Sequence, residues 1–208
     1  MDFLEALREL REKTKKRNFD QTLDLIINLK DFDVKRESLS IVVPLPHPFK
    51  KKRIAAFLEN PGDYEFLEKI ITKTEMEKMT QKDIKKMAKK VDFFIANVKL
   101  MPAIASKFGK ILGSLGKMPD PSLGCVIAQE DKETIKKALE KLNIVTKVKT
   151  KEPSIKIAIG KESMPNEDLI KNIDSVLKTV KEKLPKKEMN IKNVMLKFTM
   201  SKALEVKK

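Results

Sequence analysis

Apolar residues recur along this chain with two different periods. Over residues 2–16, Leu4, Leu7 and Leu10 fall at helical spacing with charges between them, which predicts an amphipathic helix. Lys15, Lys16 and Arg17 close it, where cations suit the negative end of the helix dipole. Over 22–30 the period drops to two. Leu23, Leu25, Ile27 and Leu29 alternate with Thr22, Asp24, Ile26 and Asn28, as in a strand buried on one face. A polar loop over 31–40 leads to a second strand at 41–45.

Further along, the grammar changes. Residues 54–58 and 92–98 are nearly continuous apolar runs, the mark of strands covered on both faces. Helices are expected around 63–69, over 74–90 with Met76, Met79, Ile84 and Met87 on the apolar side, from Pro102 towards Phe108, and over 131–142. A strand follows at 144–148. Short buried strands alternating with helices predict a parallel sheet. One-sided alternation then returns at 154–159 and 189–200, flanking a helix over 165–183 and followed by a basic tail. Pro44, Pro46, Pro48 and the basic run 50–53 read as one linker, and 150–153 as another. The expected fold class is α/β in two domains. A split domain of residues 1–51 plus 151–208 carries an inserted α/β domain of residues 52–150, and two linkers at one place imply a hinge.

Charge sharpens the picture. The 208 residues hold 45 Lys+Arg against 30 Asp+Glu, net +15, distributed as +4, +5 and +6 over 1–53, 54–150 and 151–208. This is a basic field throughout rather than a neutral domain with a basic tail, and it favours polyanions, nucleic acid first. A general bias towards lysine would give the same numbers, since only five basic residues are Arg. One cysteine, Cys125, and one histidine, His47 between two prolines, exclude a disulfide framework and the usual zinc sites. No stretch of 18 apolar residues exists and the first residues do not read as a signal peptide, so a cytoplasmic protein without a membrane is expected. No cofactor, metal or catalytic residue is expected: Ser–His–Asp or Cys–His chemistry would have to use His47, and no nucleophile signature accompanies it.

Two sets of residues offer binding chemistry. Gly109, Gly113 and Gly116, three of the six glycines, lie with Lys110 and Lys117 in 107–121, closed by Pro119 and Pro121. Backbone amides beside a lysine can hold phosphate, although the spacing matches neither common nucleotide motif. The second set lies near the two ends of the chain. Lys15, Lys16 and Arg17 precede Phe19, a ring that can stack, and Lys197, Thr199, Met200, Ser201 and Lys202 set cations beside small polar groups. Taken alone, Phe19 equally suits a core plug between helix and strand, Met200 the last inward residue of a strand, and the lysines a solvated face. Few aromatics (5%) argue for structured RNA over single strands read by stacking.

Four motifs in order carry a resemblance. Arg17-Asn18-Phe19 with Gln21-Thr22, Asp92-Phe93-Phe94-Ile95-Ala96 before Leu100-Met101-Pro102, Leu112-Gly113 with Gly116-Lys117-Met118-Pro119, and Lys197-Phe198-Thr199-Met200 together resemble the ribosomal protein L-one family, in its archaeal and eukaryotic form. The resemblance covers nearly the whole chain. It implies a split α/β (α+β sandwich) RNA-binding domain with an inserted Rossmann-like domain. It implies a non-enzymatic protein of the mobile stalk of the large ribosomal subunit, binding large-subunit rRNA beside other ribosomal components. Exit-site tRNA and its own mRNA, which the family represses, are further implied partners, and the protein is expected as a monomer off the ribosome. By motif match, RNA contacts fall on Phe19, Thr22, Thr199 and Met200, with Arg17, Lys161, Ser163, Lys197, Ser201 and Lys202 beside them. A secondary RNA contact falls on Gly113, Gly116 and Lys117. The chain departs from the family where Ser201 and Lys202 stand for Gly-Pro after Thr-Met, and where Ser114 and Leu115 stand for Pro-Arg before Gly116. The second departure removes a cation from the glycine stretch. Two other readings stay open: a non-ribosomal RNA-binding regulator, and a nucleotide-binding Rossmann-like enzyme using that stretch.

Overall fold

The computed structural model describes residues 2–34, 37, 39–62, 64–150 and 152–206. Along the chain the elements are α1 (Phe3–Lys13), β1 (Thr22–Leu29), β2 (Ser40–Pro44), β3 (Ile54–Phe57), β4 (Lys69–Ile71), α2 (Lys73–Lys78), α3 (Gln81–Lys90), β5 (Phe93–Asn97), α4 (Met101–Ser114), β6 (Val126–Ile127), α5 (Lys132–Ile144), β7 (Val145–Lys149), β8 (Ser154–Lys161), α6 (Asn166–Lys183), β9 (Ile191–Phe198) and β10 (Leu204–Val206). They form two compact units, residues 1–49 with 144–208 and residues 50–143.

In the split unit, α1 begins at an Asp2 cap. The Phe3 amide donates to Asp2 Oδ1 at 2.7 Å, and the Asp2 amide donates to Glu5 Oε2 at 3.3 Å. An antiparallel sheet runs β10-β9-β1-β8. The alternation of β1 survives intact: Leu23, Leu25, Ile27 and Leu29 are buried. They meet Ile155 and Ile157 of β8 and Val194, Leu196 and Phe198 of β9, under α1 and the Leu169–Val180 face of α6. Strands β2 and β7 pair antiparallel as a separate two-stranded sheet, and α6 packs on β2.

In the other unit a parallel sheet runs β4-β3-β5-β6. Ala55, Phe57, Phe94 and Ala96 join Met76 of α2, Ile84 and Ala88 of α3, and Ile104, Phe108 and Leu112 of α4 in one cluster. Ile54, Ala56, Phe93 and Ile95 alternate out of that cluster and are buried too, so both faces of the sheet are covered. Phe57 stacks on Phe94 and Phe108, with ring centroids 5.5 and 6.4 Å apart.

Several expectations need correction. No helix occupies 64–69; Leu67 turns back on Tyr64 O and β4 follows, paired with β3, while residue 63 lies outside the described residues. The helix expected over 74–90 is two helices, because Thr72 with Glu75 and Thr80 with Asp83 each make a capping box. The strand expected at 144–148 in the inserted part is β7, which pairs with β2; the units therefore divide at 49/50 and 143/144 instead of 51/52 and 150/151. The expected basic tail contains β10 on the edge of β9, and residues 207 and 208 lie outside the described residues. The glycine stretch is largely helix: Gly109 and Gly113 lie within α4, and a Cβ on either would meet nothing within 4 Å. Only Gly116, at φ +68°, needs its freedom, ending α4 with the Lys117 amide donating to Leu112 O at 2.8 Å.

Candidate nucleic-acid interface

Topology gathers the second set of candidates. Strands β8 and β9 both run antiparallel to β1, so the start of β1 lies beside the ends of both neighbours. Thr22 pairs with Lys161, and Leu23 with Phe198. The segment before β1 (17–21), the turn after β8 (162–164) and the loop after β9 (199–203) therefore meet along one edge of the unit, at the strand ends of the sheet.

Hydrogen bonds tie the three together. The Thr22 amide donates to Thr199 Oγ1 at 3.1 Å, and the Thr199 amide donates to Thr22 O at 3.1 Å. Lys161 Nζ donates to Asp20 O at 3.1 Å and to Thr22 Oγ1 at 3.2 Å. The Ser163 amide and hydroxyl donate to the Asp20 carboxylate at 3.1 and 2.8 Å. Ser201 Oγ accepts from the Phe198 amide at 2.9 Å and closes the loop after β9.

Sequence reasoning missed the side chain at the centre. Gln21 is fully buried; its Oε1 accepts from the Met200 amide at 3.1 Å, and its Nε2 donates to Glu162 Oε2 at 3.0 Å. It locks the loop after β9 to the turn after β8. Arg11 was missed as well: its guanidinium donates to Glu162 O, Met164 O and Asn166 Oδ1, pinning that turn to the last coil of α1. Gly160 is required by close approach, since a Cβ there would meet Leu169 Cδ2 at 2.2 Å.

Against this fixed backbone two large apolar side chains stand out. Phe19 is 51% exposed and Met200 59% exposed, so Phe19 is no core plug and Met200 no inward strand residue. Arg17 and Lys202 line a common cleft with Met200 and Ser201. Lys197 is cross-strand partner of Asp24; burial pushes the Asp24 carboxyl above its ordinary value, and the Lys197 charge works against it. The edge thus combines Arg17, Lys161, Lys197 and Lys202 with an aromatic face, a thioether and hydroxyls. That mixture suits phosphate, base and ribose together.

Gly113, Gly116 and Lys117 belong to the other unit. Lys117 Nζ donates to Ala88 O and Val91 O at 2.6 and 2.5 Å, capping the end of α3, and burial lowers its pKa. The stretch is a helix ending held by an internal cation, not a phosphate loop. The place where α/β sheets commonly hold nucleotides, the carboxyl ends of strands where the order reverses, falls between β3 and β5. Glu130 fills it. Its carboxylate accepts from the Glu59 and Asn60 amides at 2.6 and 3.1 Å and from Asn97 Nδ2 at 2.7 Å. Burial works to raise this carboxyl, but those hydrogen bonds together bring it below its ordinary value. Among the described residues no cluster of His, Cys, Asp and Glu could hold a metal ion, and no helix is long and apolar enough to cross a membrane.

The profile of the Ribosomal protein L1p/L10e family matches residues 10–202. The chain belongs to that family. Its relatives include the large ribosomal subunit proteins uL1 of Pyrococcus abyssi (34% identical, covering 98% of this chain and 94% of the relative), Nanoarchaeum equitans (35%, 92% and 93%) and Methanocaldococcus jannaschii (35%, 99% and 94%). The L1p/L10e family is structural rather than enzymatic. The matched span takes in Phe19, Thr22, Lys161, Thr199 and Met200, so the whole edge lies within the family's own extent.

Proposed function

We propose that the chain is a structural protein of the large ribosomal subunit that binds large-subunit rRNA along the edge built from residues 17–22, 161–163 and 197–202. The observation that carries this reading is the exposure of Phe19 and Met200 beside cations on a backbone locked by Gln21 and the Thr22–Thr199 pair. The ring and the thioether each leave about half of their surface uncovered, and bases or ribose would cover it. The arginine and lysines neutralise phosphates, and the Thr and Ser hydroxyls face 2′-hydroxyls. The names of the relatives support the large-subunit assignment.

The family resemblance extends the reading to the mobile stalk near the tRNA exit site, with deacylated tRNA as a passing partner. It also extends to repression of the protein's own mRNA through a mimic of the rRNA site. One edge would then serve rRNA and mRNA in turn, so the two would compete. Inside the cell the protein would be ribosome-associated in the cytoplasm, and monomeric when released.

A filter-binding titration against a stalk fragment of large-subunit rRNA tests the proposal. Neutralising about six phosphates makes the affinity fall by about a thousandfold between roughly 50 and 200 mM salt. A flat salt dependence, or binding of a mononucleotide with none of the RNA, overturns it. Recovery of the protein only away from large subunits after sedimentation would leave an RNA-binding regulator off the ribosome.

A further inference from the structure

Next to this edge lies a cleft that the readings above leave without an occupant. It has a volume of about 440 Å³ and opens between the end of α1 and the loop leading into β10. Leu10, Ala203 and Leu204 line it with apolar surface, Thr14 and Ser201 with hydroxyls, and Lys15, Arg17 and Lys202 with cations. None of these three cations makes an ion pair or side-chain hydrogen bond among the described residues. No carboxylate lines the cleft.

The volume falls within the range of about 300–1,000 Å³ typical of small-ligand sites. Apolar surface beside unpaired cations and hydroxyls, with no carboxylate, suits a molecule with a flat body and anionic groups at its edge. A nucleotide has that chemistry. The cleft is also continuous with the proposed RNA edge, because Arg17 is two residues from Phe19, and Met200, next to Thr199, lines its mouth. RNA reaching Phe19 and Thr199 passes this opening, and unpaired bases of structured RNA are readily splayed out of their stack. We propose that the cleft is a subsite for one extruded nucleotide of the bound RNA, its base on Ala203 and Leu204 and its flanking phosphates on Lys15, Arg17 and Lys202. The proposal rests on the RNA-binding reading above.

The test uses the full chain and the stalk rRNA fragment, with single abasic sites walked through its unpaired nucleotides. With the unaltered protein, one abasic position lowers affinity about ten- to a hundredfold, the loss expected when one base contact is removed. Ala203→Trp, at an exposed position, fills the cleft. It lowers affinity for the intact fragment by a similar factor, and the critical abasic site then adds no further loss, as coupled partners require. Independently of any variant, 4-thiouridine at that position crosslinks to residues 10–17 or 200–204. The subsite is overturned if every abasic position costs less than about twofold, if the penalty persists in Ala203→Trp, or if the crosslink maps elsewhere. Failure of the unaltered protein to bind the intact fragment is seen before any abasic position is tried; it overturns the RNA reading and the subsite with it.

Discussion

Thr22 and Thr199 are 177 positions apart and exchange backbone and side-chain hydrogen bonds: each amide is accepted by the other residue, at 3.1 Å in both cases. This pair joins the start of β1 to the end of β9 and holds Phe19 and Met200 on one edge. Phe19→Ala combined with Thr199→Val therefore removes a stacking face and loosens its support. Loss of one stacked base is worth about 1–3 kcal/mol, so affinity for the stalk rRNA fragment falls at least tenfold in a filter-binding assay. Gly113→Ala, in the other unit, leaves that affinity within about twofold. Equal losses in the two proteins would move the main site off this edge.

Gln21 predicts a stability effect at the same place. Gln21→Leu leaves the Met200 amide without its acceptor and Glu162 without its donor. Losing two part-buried hydrogen bonds, one of them to a carboxylate, costs about 1–3 kcal/mol. The denaturant midpoint of the split unit should fall accordingly, and RNA affinity should fall with it, because the loop bearing Met200 is released. A variant with unchanged midpoint would show that water replaces the amide.

Two glycines predict opposite signs from one substitution. A Cβ on Gly113 meets nothing within 4 Å inside α4, so Gly113→Ala raises stability by about 0.5–1 kcal/mol through backbone entropy. A Cβ on Gly160 collides with Leu169 Cδ2 at 2.2 Å, so Gly160→Ala lowers stability by about 1–3 kcal/mol. Thermal unfolding of the two variants settles both signs.

Glu130 makes the unit of residues 50–143 sensitive to acid. Its folded-state pKa lies below the ordinary value of 4.5. The resulting stability is fully present above that value and is lost as pH falls through the lower folded one. Glu130→Gln should cost about 1 kcal/mol at neutral pH and should flatten the acid limb of the unfolding curve below pH 4.5. The carboxylate meets the Glu59 and Asn60 amides with separate oxygens, and the glutamine has only one, so one of these two bonds is lost. An acid limb identical in the two proteins would remove Glu130 from the account.

What could be read in the sequence was what depends on neighbours along the chain. The period-two run of β1, the long amphipathic α6 and the doubly buried β3 and β5 state their burial in their own residues. The three-residue strands β4 and β10 carry too few residues to show a period, and their existence depends on the partners β3 and β9. The break between α2 and α3 was legible in Thr72-x-x-Glu75 and Thr80-x-x-Asp83, but the apolar spacing of Met76, Met79, Ile84 and Met87 runs across it and hides it. At the candidate interface, motif order singled out Phe19, Thr199 and Met200, which the fold brings to one edge. Gln21, Asp20 and Arg11 act through partners more than 140 positions away, and residue type alone does not reveal that.

The placement of β7 gives the last prediction. β7 pairs with all five residues of β2, from Ser40 opposite Lys149 to Pro44 opposite Val145, and the Leu45 amide donates to Ile144 O at 2.6 Å. The chain therefore leaves and re-enters the split unit side by side. Replacing residues 50–143 by a short Gly-Ser linker closes a small gap, and loop-closure entropy for so few residues is modest. The product should fold cooperatively and keep the RNA affinity of the full chain within a few fold, since every residue of the proposed edge remains. Carrying the deletion on through residue 149 removes β7, leaves the inner edge of β2 unpaired, and should lower the denaturant midpoint markedly. If the longer deletion is the more stable, β7 does not belong with β2. If the shorter one folds but no longer binds the stalk fragment, the residues it removed hold the RNA site.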